Sequence, residues 1–191
     1  MVITTLGYAL LGLLARESYS GYDLGRQLKA PIGFYWHARY SQIYPELAKL
    51  EAEELATFEV VEQHDLPAKK VYTITQKGRE ALKEWVTAAT DLPPMRDELI
   101  LKTFSLWLVD PEQAIALFHQ QIELHTKQLQ HYEAFERKLE EDKEDVSNNF
   151  SPLFATYATL KVGLDYERMY IQWCHWTIAQ LERTGTSPQK G

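Results

Sequence analysis

Apolar residues recur at helical spacing through the first fifty positions of the chain. The first predicted helix carries leucines three or four positions apart, namely Leu6, Leu10, Leu13 and Leu14. Thr5 is placed to cap it, and Ser20 to cap a second helix with Asp23 three residues later. A third helix is expected to begin with a Ser41 cap, which puts Pro45 in its first turn. Its inward residues fall at i, i+4 and i+7, namely Ile43, Leu47 and Leu50.

After Glu54 the apolar period changes from that of a helix to that of a strand. Residues 57–62 and 71–75 are rich in β-branched and aromatic side chains and predict two strands, joined by a tip over 64–70. A fourth helix is predicted from about Gln76 to Ala89. Three helices followed by a two-stranded hairpin is the element order of a winged helix-turn-helix, which presents its third helix to a DNA groove.

This element order predicts which side chains meet DNA. Gln42, in the first turn of the third helix, can pair with an adenine edge. Lysines of the third helix and of the hairpin can neutralise phosphates, and the N-terminus of the second helix can receive a phosphate oxygen. For Tyr44, packing in the core and contact with DNA are equally open. The predicted DNA-contacting set is Ser20, Tyr22, Tyr40, Ser41, Gln42, Tyr44, Lys49, Lys69, Lys70 and Tyr72.

Paired prolines within residues 91–95 mark a linker. We therefore expect a DNA-binding domain over residues 1–90 and a helical dimerisation and effector domain over residues 91–191. The helical domain opens with a short predicted helix over residues 97–108. Its expected inward residues are Leu101, Phe104 and Leu108.

Two long helices are predicted in the second half of the chain. The first begins at an Asp110 cap and carries a heptad seam that His125 and Glu136 interrupt. The second spans about residues 152–183 and carries two apolar seams on roughly opposite sides. In one seam, Glu167 occupies a position where the spacing predicts an apolar residue. The apolar residues of this seam are Tyr157, Leu160, Leu164, Ile171, Cys174, Ile178 and Leu181. The other is Val162, Tyr166, Met169, Tyr170, Trp173 and Trp176.

A helix that is apolar on two sides is normally buried on two sides. One helical layer of the same chain covers one side, so the other side needs a second subunit. The predicted dimer interface is Leu160, Leu164, Ile171, Cys174, Ile178 and Leu181. A two-fold dimer would match an inverted-repeat operator. Cys174 is expected to be a small buried hydrophobic residue, with a redox sensor as the sharper alternative.

The net charge of −7 is unusual for a DNA-binding protein until the chain is divided. Residues 1–90 hold 10 basic and 11 acidic side chains, whereas residues 91–191 hold 10 and 16. The first half also concentrates its basic residues at 26–49 and 66–83, which indicates a surface for an anionic polymer, although solvated faces would show the same pattern. No apolar run approaches the roughly 18 residues of a membrane helix, and no secretory leader is evident, so we expect a cytoplasmic protein.

Four segments resemble, in this order and spacing, the PadR family of bacterial transcriptional regulators. They are LLGLL at 10–14, SGYDL at 20–24, SQIYPELAKLE at 41–51 and KKVYTITQKG at 69–78. The similarity continues to about residue 182, and residues 34–36 look closest to the phenolic-acid-responsive repressors of that family. Leu55 departs from the glycine usual there, and the hairpin has only Lys69 and Lys70 where many members carry a longer basic run.

The resemblance implies a winged helix-turn-helix repressor that a small molecule releases, with a phenolic acid such as p-coumarate or ferulate as the expected effector. Such an acid needs an apolar slot, a hydrogen-bond partner for the phenol and a cation for the carboxylate. Arg96 is one further candidate cation. The alternative for each residue is ordinary packing or solvation. The predicted effector-binding residues are Tyr8, Arg16, Trp36, Lys161, Arg168 and Trp173.

The sequence disfavours an enzyme. His119, His125 and His131 are six apart on a helix, so successive side chains point about 240° apart and cannot share a metal. No phosphate-binding glycine loop or nucleophile elbow occurs, and we expect no cofactor. A helical protein-interaction adaptor that has lost DNA binding, or a regulator without an inducer pocket, remains the competing hypothesis.

Overall fold

The computed structural model describes residues 3–28, 38–62, 64, 67–92, 96–141 and 148–184 of the 191-residue chain. The chain divides into two compact units, Met1–Asp91 and Leu92–Gly191, which we call the first unit and the helical unit. Among the described helices, none combines the length and the apolar character needed to cross a bilayer.

The first unit has the mainly helical, winged helix-turn-helix architecture that the sequence predicts. Its elements are α1 (Thr5–Leu14), β1 (Tyr19–Ser20), α2 (Gly21–Gln27), α3 (Tyr40–Ala52), β2 (Ala56–Val61), β3 (Lys69–Ile74) and α4 (Gln76–Thr87). The predicted hairpin gains a third strand, because the two-residue β1 pairs antiparallel with β3 on the side away from β2. Lys69 and Lys70 lie within β3, paired with Val61 and Val60 of β2, and not in the hairpin tip as the sequence suggested.

The caps of two helices lie one or two residues before the predicted positions. Thr4, and not Thr5, caps α1 by accepting the N–H of Gly7. Helix α3 begins at Tyr40, and the side-chain oxygen of Gln42 accepts the backbone N–H of Arg39 at 3.0 Å. The Ser41 cap is therefore wrong.

The earlier start of α3 also moves its proline. Pro45 becomes the sixth residue of α3 and so lies beyond the first turn. Since proline has no N–H, the carbonyl of Ser41 loses its usual partner within the helix. Both residues are exposed, and water can satisfy this carbonyl.

The turn out of α3 is formed without a glycine, and its left-handed residue is Glu54 and not Leu55, the position at which the resemblance suggested a glycine. The N–H of Leu55 donates to the carbonyl of Leu50 at 2.8 Å, and that of Glu54 donates to Glu51 at 2.9 Å. This is a Schellman motif, and Glu54 takes its left-handed position with φ 59°. A non-glycine residue there costs about 1–2 kcal/mol.

The core of the first unit is built from the leucines of α1, the inward residues of α3 and the buried side of the sheet. Helix α4 joins it at its N-terminus, where Thr75 caps the helix by accepting the N–H of Gly78. A Cβ on Gly78 would stand only 2.1 Å from the carbonyl oxygen of Leu55. The absence of a side chain at Gly78 therefore lets α4 approach the turn that follows α3.

We predict that Gly78→Ala destabilises the protein, because the clash is with backbone that cannot rotate away. The expected cost is about 1–3 kcal/mol. Gly12→Ala is the matched control, since a Cβ at Gly12 of α1 meets nothing within 4 Å. Removing glycine there is expected to be neutral or to stabilise by about 0.5–1 kcal/mol. Urea unfolding of both variants measures the difference, and equal midpoints would contradict the close approach.

The helical unit contains α5 (Glu98–Thr103), a 3-10 turn (Leu106–Leu108), α6 (Pro111–Glu141) and α7 (Pro152–Thr184). Helices α6 and α7 run antiparallel, because residues later in α6 contact residues earlier in α7. Phe118 packs on Trp173, and Glu136 pairs with Lys161. Two of the three residues that interrupt the predicted seams, His125 and Glu167, meet each other. His125 Nδ1 donates to the buried Glu167 Oε2, so each polar interruption satisfies the other and fixes the register of the two helices.

The predicted dimer seam is packed within the chain itself. Leu160, Leu164 and Cys174 are fully buried and Ile178 nearly so, whereas Ile171 and Leu181 are half-buried. The four buried residues offer no surface to a second subunit, which corrects the prediction for them. The second seam is the exposed one except for Tyr170, which is buried. We call its remaining residues the outer seam: Val162, Tyr166, Met169, Trp173 and Trp176, with Trp173 only partly exposed.

The inward residues predicted for α5 and the following turn are also wrong. Leu101, Phe104 and Leu108 are exposed, and Leu99 is the buried residue of this segment. The segment breaks into α5 and a 3-10 turn, so one helical period does not extend across it. The exposed apolar residues, which we call the α5 patch, are Leu101, Phe104, Trp107 and Leu108.

Candidate functional site

A cleft of about 610 Å³ lies on the first unit where the start of α2, the middle of α3 and the strand β3 meet. Six of the ten predicted DNA-contacting residues line it, namely Ser20, Tyr22, Tyr44, Lys69, Lys70 and Tyr72. The remaining lining residues are Gly21, Asp23 and Ala68. The cleft therefore combines hydroxyl donors with two lysines, which suits a phosphate backbone.

Glycines of α2 let the tyrosines of α3 lie directly against that helix. A Cβ at Gly21 would stand 2.7 Å from the Tyr44 ring, and one at Gly25 only 2.2 Å from the Tyr40 ring. The Tyr40 ring stacks on Tyr22 with centroids 5.9 Å apart. Tyr44 packs on Gly21 and is still half exposed, so the structure is compatible with both roles that the sequence left open.

Tyr72 forms the floor of this cleft. It is buried beside Phe58, and its pKa is raised, first by burial and then by Glu51. The phenol therefore stays protonated at physiological pH and can act as a neutral hydrogen-bond donor.

The N-terminus of α2 is already satisfied within the chain. Ser20 accepts the N–H of Asp23, and its hydroxyl donates to the Asp23 carboxylate at 2.6 Å. An incoming phosphate would have to approach this carboxylate. The structure thus gives Ser20 a capping role, and its predicted phosphate contact stays a prediction.

The three predicted phosphate-binding lysines differ in their surroundings. Lys70 Nζ lies 3.5 Å from the centre of the Phe58 ring and 4.0 Å from Glu51, so it is positioned in the cleft but not committed to a buried partner. Lys69 also lines the cleft. Lys49 is different, because it donates to Glu46 at 2.5 Å.

Glu46 is a residue that the sequence reading missed. It is buried on the inner side of α3 and also accepts the Thr4 hydroxyl at 2.9 Å, which ties α3 to the cap of α1. The sequence did contain a signal for this role, because Glu46 is a charged residue among the predicted inward residues of α3. Lys49 completes this contact, so its predicted role at a phosphate competes with an ion pair inside the chain.

Ser41 and Gln42 border a separate cleft of about 510 Å³ with Pro45 and the start of α1. Together with Tyr44 and Ala48 they give α3 an exposed side opposite its buried residues. Pro45 and Ala48 were not among the predicted DNA-contacting residues. The sequence could have identified them, because they lie on the side of the helix opposite its predicted inward residues. A small apolar side chain on that side suits a thymine methyl group.

The helical unit contains an apolar cavity of about 400 Å³ between α5 and α7. Its lining residues are Arg96, Asp97, Ile100, Tyr166, Met169, Tyr170 and Trp173. The Tyr170 hydroxyl donates to both carboxylate oxygens of Asp97, at 3.0 and 2.9 Å. Burial and the nearby Asp97 raise the pKa of Tyr170 well above its ordinary value, so this phenol remains protonated.

Of the predicted effector-binding residues that the structure describes, Trp173 alone lines this cavity. Lys161 pairs with Glu136 at 3.2 Å and Arg168 with Glu133 at 3.4 Å, both along the α6–α7 contact. In the first unit, Tyr8 stacks on Trp85 with centroids 4.7 Å apart, and Arg16 is exposed. Trp36 lies outside the described residues.

Cys174 has the properties of a packed hydrophobic residue. It is fully buried among α5, α6 and α7, and burial raises the pKa of its thiol to about 11. Since the thiolate is the reactive form, this environment disfavours the redox-sensor alternative.

Comparison with known proteins identifies the family. The model of the Transcriptional regulator PadR-like family matches residues 10–84, and that of Virulence activator alpha C-term matches residues 95–182. Negative transcriptional regulator PadR of Bacillus subtilis (strain 168) is 34% identical over 179 residues, which are 93% of this chain and 98% of that relative. The chain belongs to the PadR-like family of transcriptional regulators.

Two solved structures of Bacillus subtilis PadR resemble this PadR-like chain over most of its length. The one in complex with operator DNA has a TM-score of 0.85 at 33% identity and covers 95% of this chain and 99% of that chain. The one in complex with p-coumaric acid has a TM-score of 0.78 at 31% identity and covers 94% and 99%. The family membership and the winged fold predicted from the sequence are confirmed, as is the prediction of a regulator without enzymatic activity.

We predict that Gln42 and the two lysines of the wing, which is the hairpin of β2 and β3, affect DNA binding differently in this PadR-like protein. Gln42→Glu keeps the oxygen that accepts the Arg39 N–H but loses the amide donor, so the fold is retained while preference for one base pair falls by about 1–3 kcal/mol. Lys69→Ala/Lys70→Ala weakens binding to all sequences and flattens the salt dependence. Fluorescence anisotropy on an operator and on single-base variants measures both. Unchanged base preference in Gln42→Glu would show that α3 does not read bases with this residue.

Proposed function

We propose that this protein is a repressor that binds an inverted-repeat operator as a homodimer and is released by a small aromatic acid. It would act in the cytoplasm, where its DNA target lies. The observation that carries the proposal is the cleft in which the tyrosines of α2 and α3 meet the lysines of β3. The operator and p-coumaric acid complexes of Bacillus subtilis PadR support both halves of it.

The homodimer rests on apolar surface that one chain leaves uncovered. Val162 and Trp176 of the outer seam are 60% and 61% exposed, and Phe104 and Trp107 of the α5 patch are 84% and 81% exposed. Monomeric proteins rarely expose apolar surface of this extent, and such patches mark interfaces. A second copy of the chain presents the same surface, as a two-fold interface requires.

We predict that Val162→Glu/Trp176→Glu gives a monomer, because each dimer would otherwise bury four carboxylates. Both residues are exposed, so the fold of the single chain is expected to survive. Val86→Glu is the control, since Val86 is a similarly exposed valine on α4 of the first unit. Sedimentation velocity measures the outcome. An intact dimer in the double variant would exclude the outer seam from the interface.

We predict that the protein binds an inverted repeat more tightly than a single half-site, and that its affinity falls steeply with salt. Adding p-coumarate should release the DNA if the acid favours a dimer whose two α3 helices no longer match the half-site spacing. Gel shifts across a range of salt concentrations, with and without the acid, measure each step. Absence of binding at low salt would favour the protein-interaction adaptor, and retained binding with acid would favour a regulator without this inducer.

A further inference from the structure

Arg39 is an exposed cation at the start of α3 that was not among the predicted DNA-contacting residues. No acidic residue occurs between Asp23 and Glu46, and both of these are engaged elsewhere, Asp23 with Ser20 and Glu46 with Lys49. Among the residues that the structure describes, none forms an ion pair with Arg39. Its guanidinium is therefore available to a partner outside the chain.

The backbone of Arg39 is held in place by the helix that it precedes. Its N–H donates to Gln42 Oε1 at 3.0 Å, and its carbonyl accepts the N–H of Gln42 at 2.8 Å. The next residue, Tyr40, is packed on α2, because a Cβ on Gly25 would stand only 2.2 Å from its ring. The Arg39 side chain thus starts from a fixed point at the N-terminal end of α3, which is the end that a helix-turn-helix presents to base edges.

The same cap limits what Gln42 can recognise. Bidentate recognition of adenine needs an amide oxygen that accepts from N6 and an amide nitrogen that donates to N7. In Gln42 the oxygen is turned toward the Arg39 N–H, which leaves the amide nitrogen as the group that can face a base. Arg39 and Gln42 together therefore present hydrogen-bond donors at the start of α3.

Guanine is the base that matches two donors from one side chain. Its major-groove edge carries the acceptors O6 and N7, whereas adenine and thymine each carry one acceptor and cytosine offers a donor. A guanidinium has parallel N–H groups that fit this pair of acceptors, and an ammonium does not reproduce its planar geometry. An unpaired arginine at this end of α3 consequently favours guanine over the adenine that Gln42 suggested from the sequence.

We infer that Arg39 is a specificity-determining residue, which reads a guanine in each operator half-site by donating two hydrogen bonds to its O6 and N7 while the Gln42 cap holds the Arg39 backbone in position. The inference rests on the proposed function, because it names the base that the operator-bound α3 recognises. Arg39 then carries part of the sequence discrimination that the sequence assigned to Gln42 alone.

Selection from a pool of duplexes with a randomised centre tests this contact on the full chain. The wild type is expected to enrich an inverted repeat with a guanine at one fixed position of each half-site. Arg39→Ala should lose the guanine at that position and keep the rest of the repeat. Arg26→Ala is the matched control, since Arg26 is an exposed arginine of α2 for which the described residues likewise provide no ion pair. It should enrich the same repeat as the wild type.

Fluorescence anisotropy on the selected duplex then measures the contact itself. Replacing the selected guanine by 7-deazaguanine removes the N7 acceptor and should weaken wild-type binding about tenfold. Arg39→Ala lacks the donor and should bind both duplexes equally. Arg39→Lys keeps the charge, so the salt dependence is retained while the preference for guanine falls. Both substitutions leave the backbone contacts of Arg39 in place, and thermal unfolding of each variant checks the fold.

The outcomes separate this inference from the function on which it rests. If Arg39→Ala enriches the wild-type repeat and binds every duplex more weakly by one common factor, Arg39 contacts a phosphate, and the inference is wrong while the proposed repressor stands. An adenine at the position that Arg39→Ala changes would contradict it equally. If Arg39→Ala unfolds, an unaltered guanine preference in Arg39→Lys decides against the inference. A wild-type protein that enriches no sequence would overturn both the inference and the proposed repressor.

Discussion

The close approach of α2 and α3 is the constraint on which the predicted DNA-binding surface depends. Only residues without a Cβ at positions 21 and 25 allow the rings of Tyr44 and Tyr40 to lie on α2. The Tyr44 ring then lines the cleft together with Lys69 and Lys70. The Tyr40 ring stacks on Tyr22, which lines the same cleft. The packing of these tyrosine rings therefore depends on the close approach of the α2 backbone at Gly21 and Gly25.

Much of the first unit could be predicted from the sequence because its signals are local. Apolar spacing located α1 and α3, β-branched residues located the wing, and Ser20 capped α2 as predicted. The start of α3 could not be found this way, because Gln42 caps it from inside the helix while the more usual Ser41 does not. The short β1 was missed as well, since two residues carry no period and are ordered only by pairing with β3.

The helical unit shows where periodicity stops being informative. The sequence contained two apolar seams on the last helix, and their apolar residues alone did not indicate which seam faces the same chain. The polar residues that interrupt the seams distinguish the two. Glu167 interrupts the seam that contains Leu160 and Cys174, and His125 on α6 forms a hydrogen bond with it. A buried carboxylate needs a partner, so the seam that contains it must face the helix that supplies one. Matching interruptions between helices would have placed this seam inside the chain.

If the protein binds DNA as the proposed dimer, its charge distribution makes the second copy essential for tight binding. The chain carries a net charge of −7, and of its three predicted phosphate-binding lysines Lys49 is committed to Glu46. Affinity for DNA rises with the number of phosphates neutralised, so one winged unit with two wing lysines binds weakly by itself. Joining two such units makes the second contact intramolecular and multiplies the affinities. A ligand that changes only the geometry of the proposed interface would then remove most of the affinity without touching any of the predicted DNA-contacting residues.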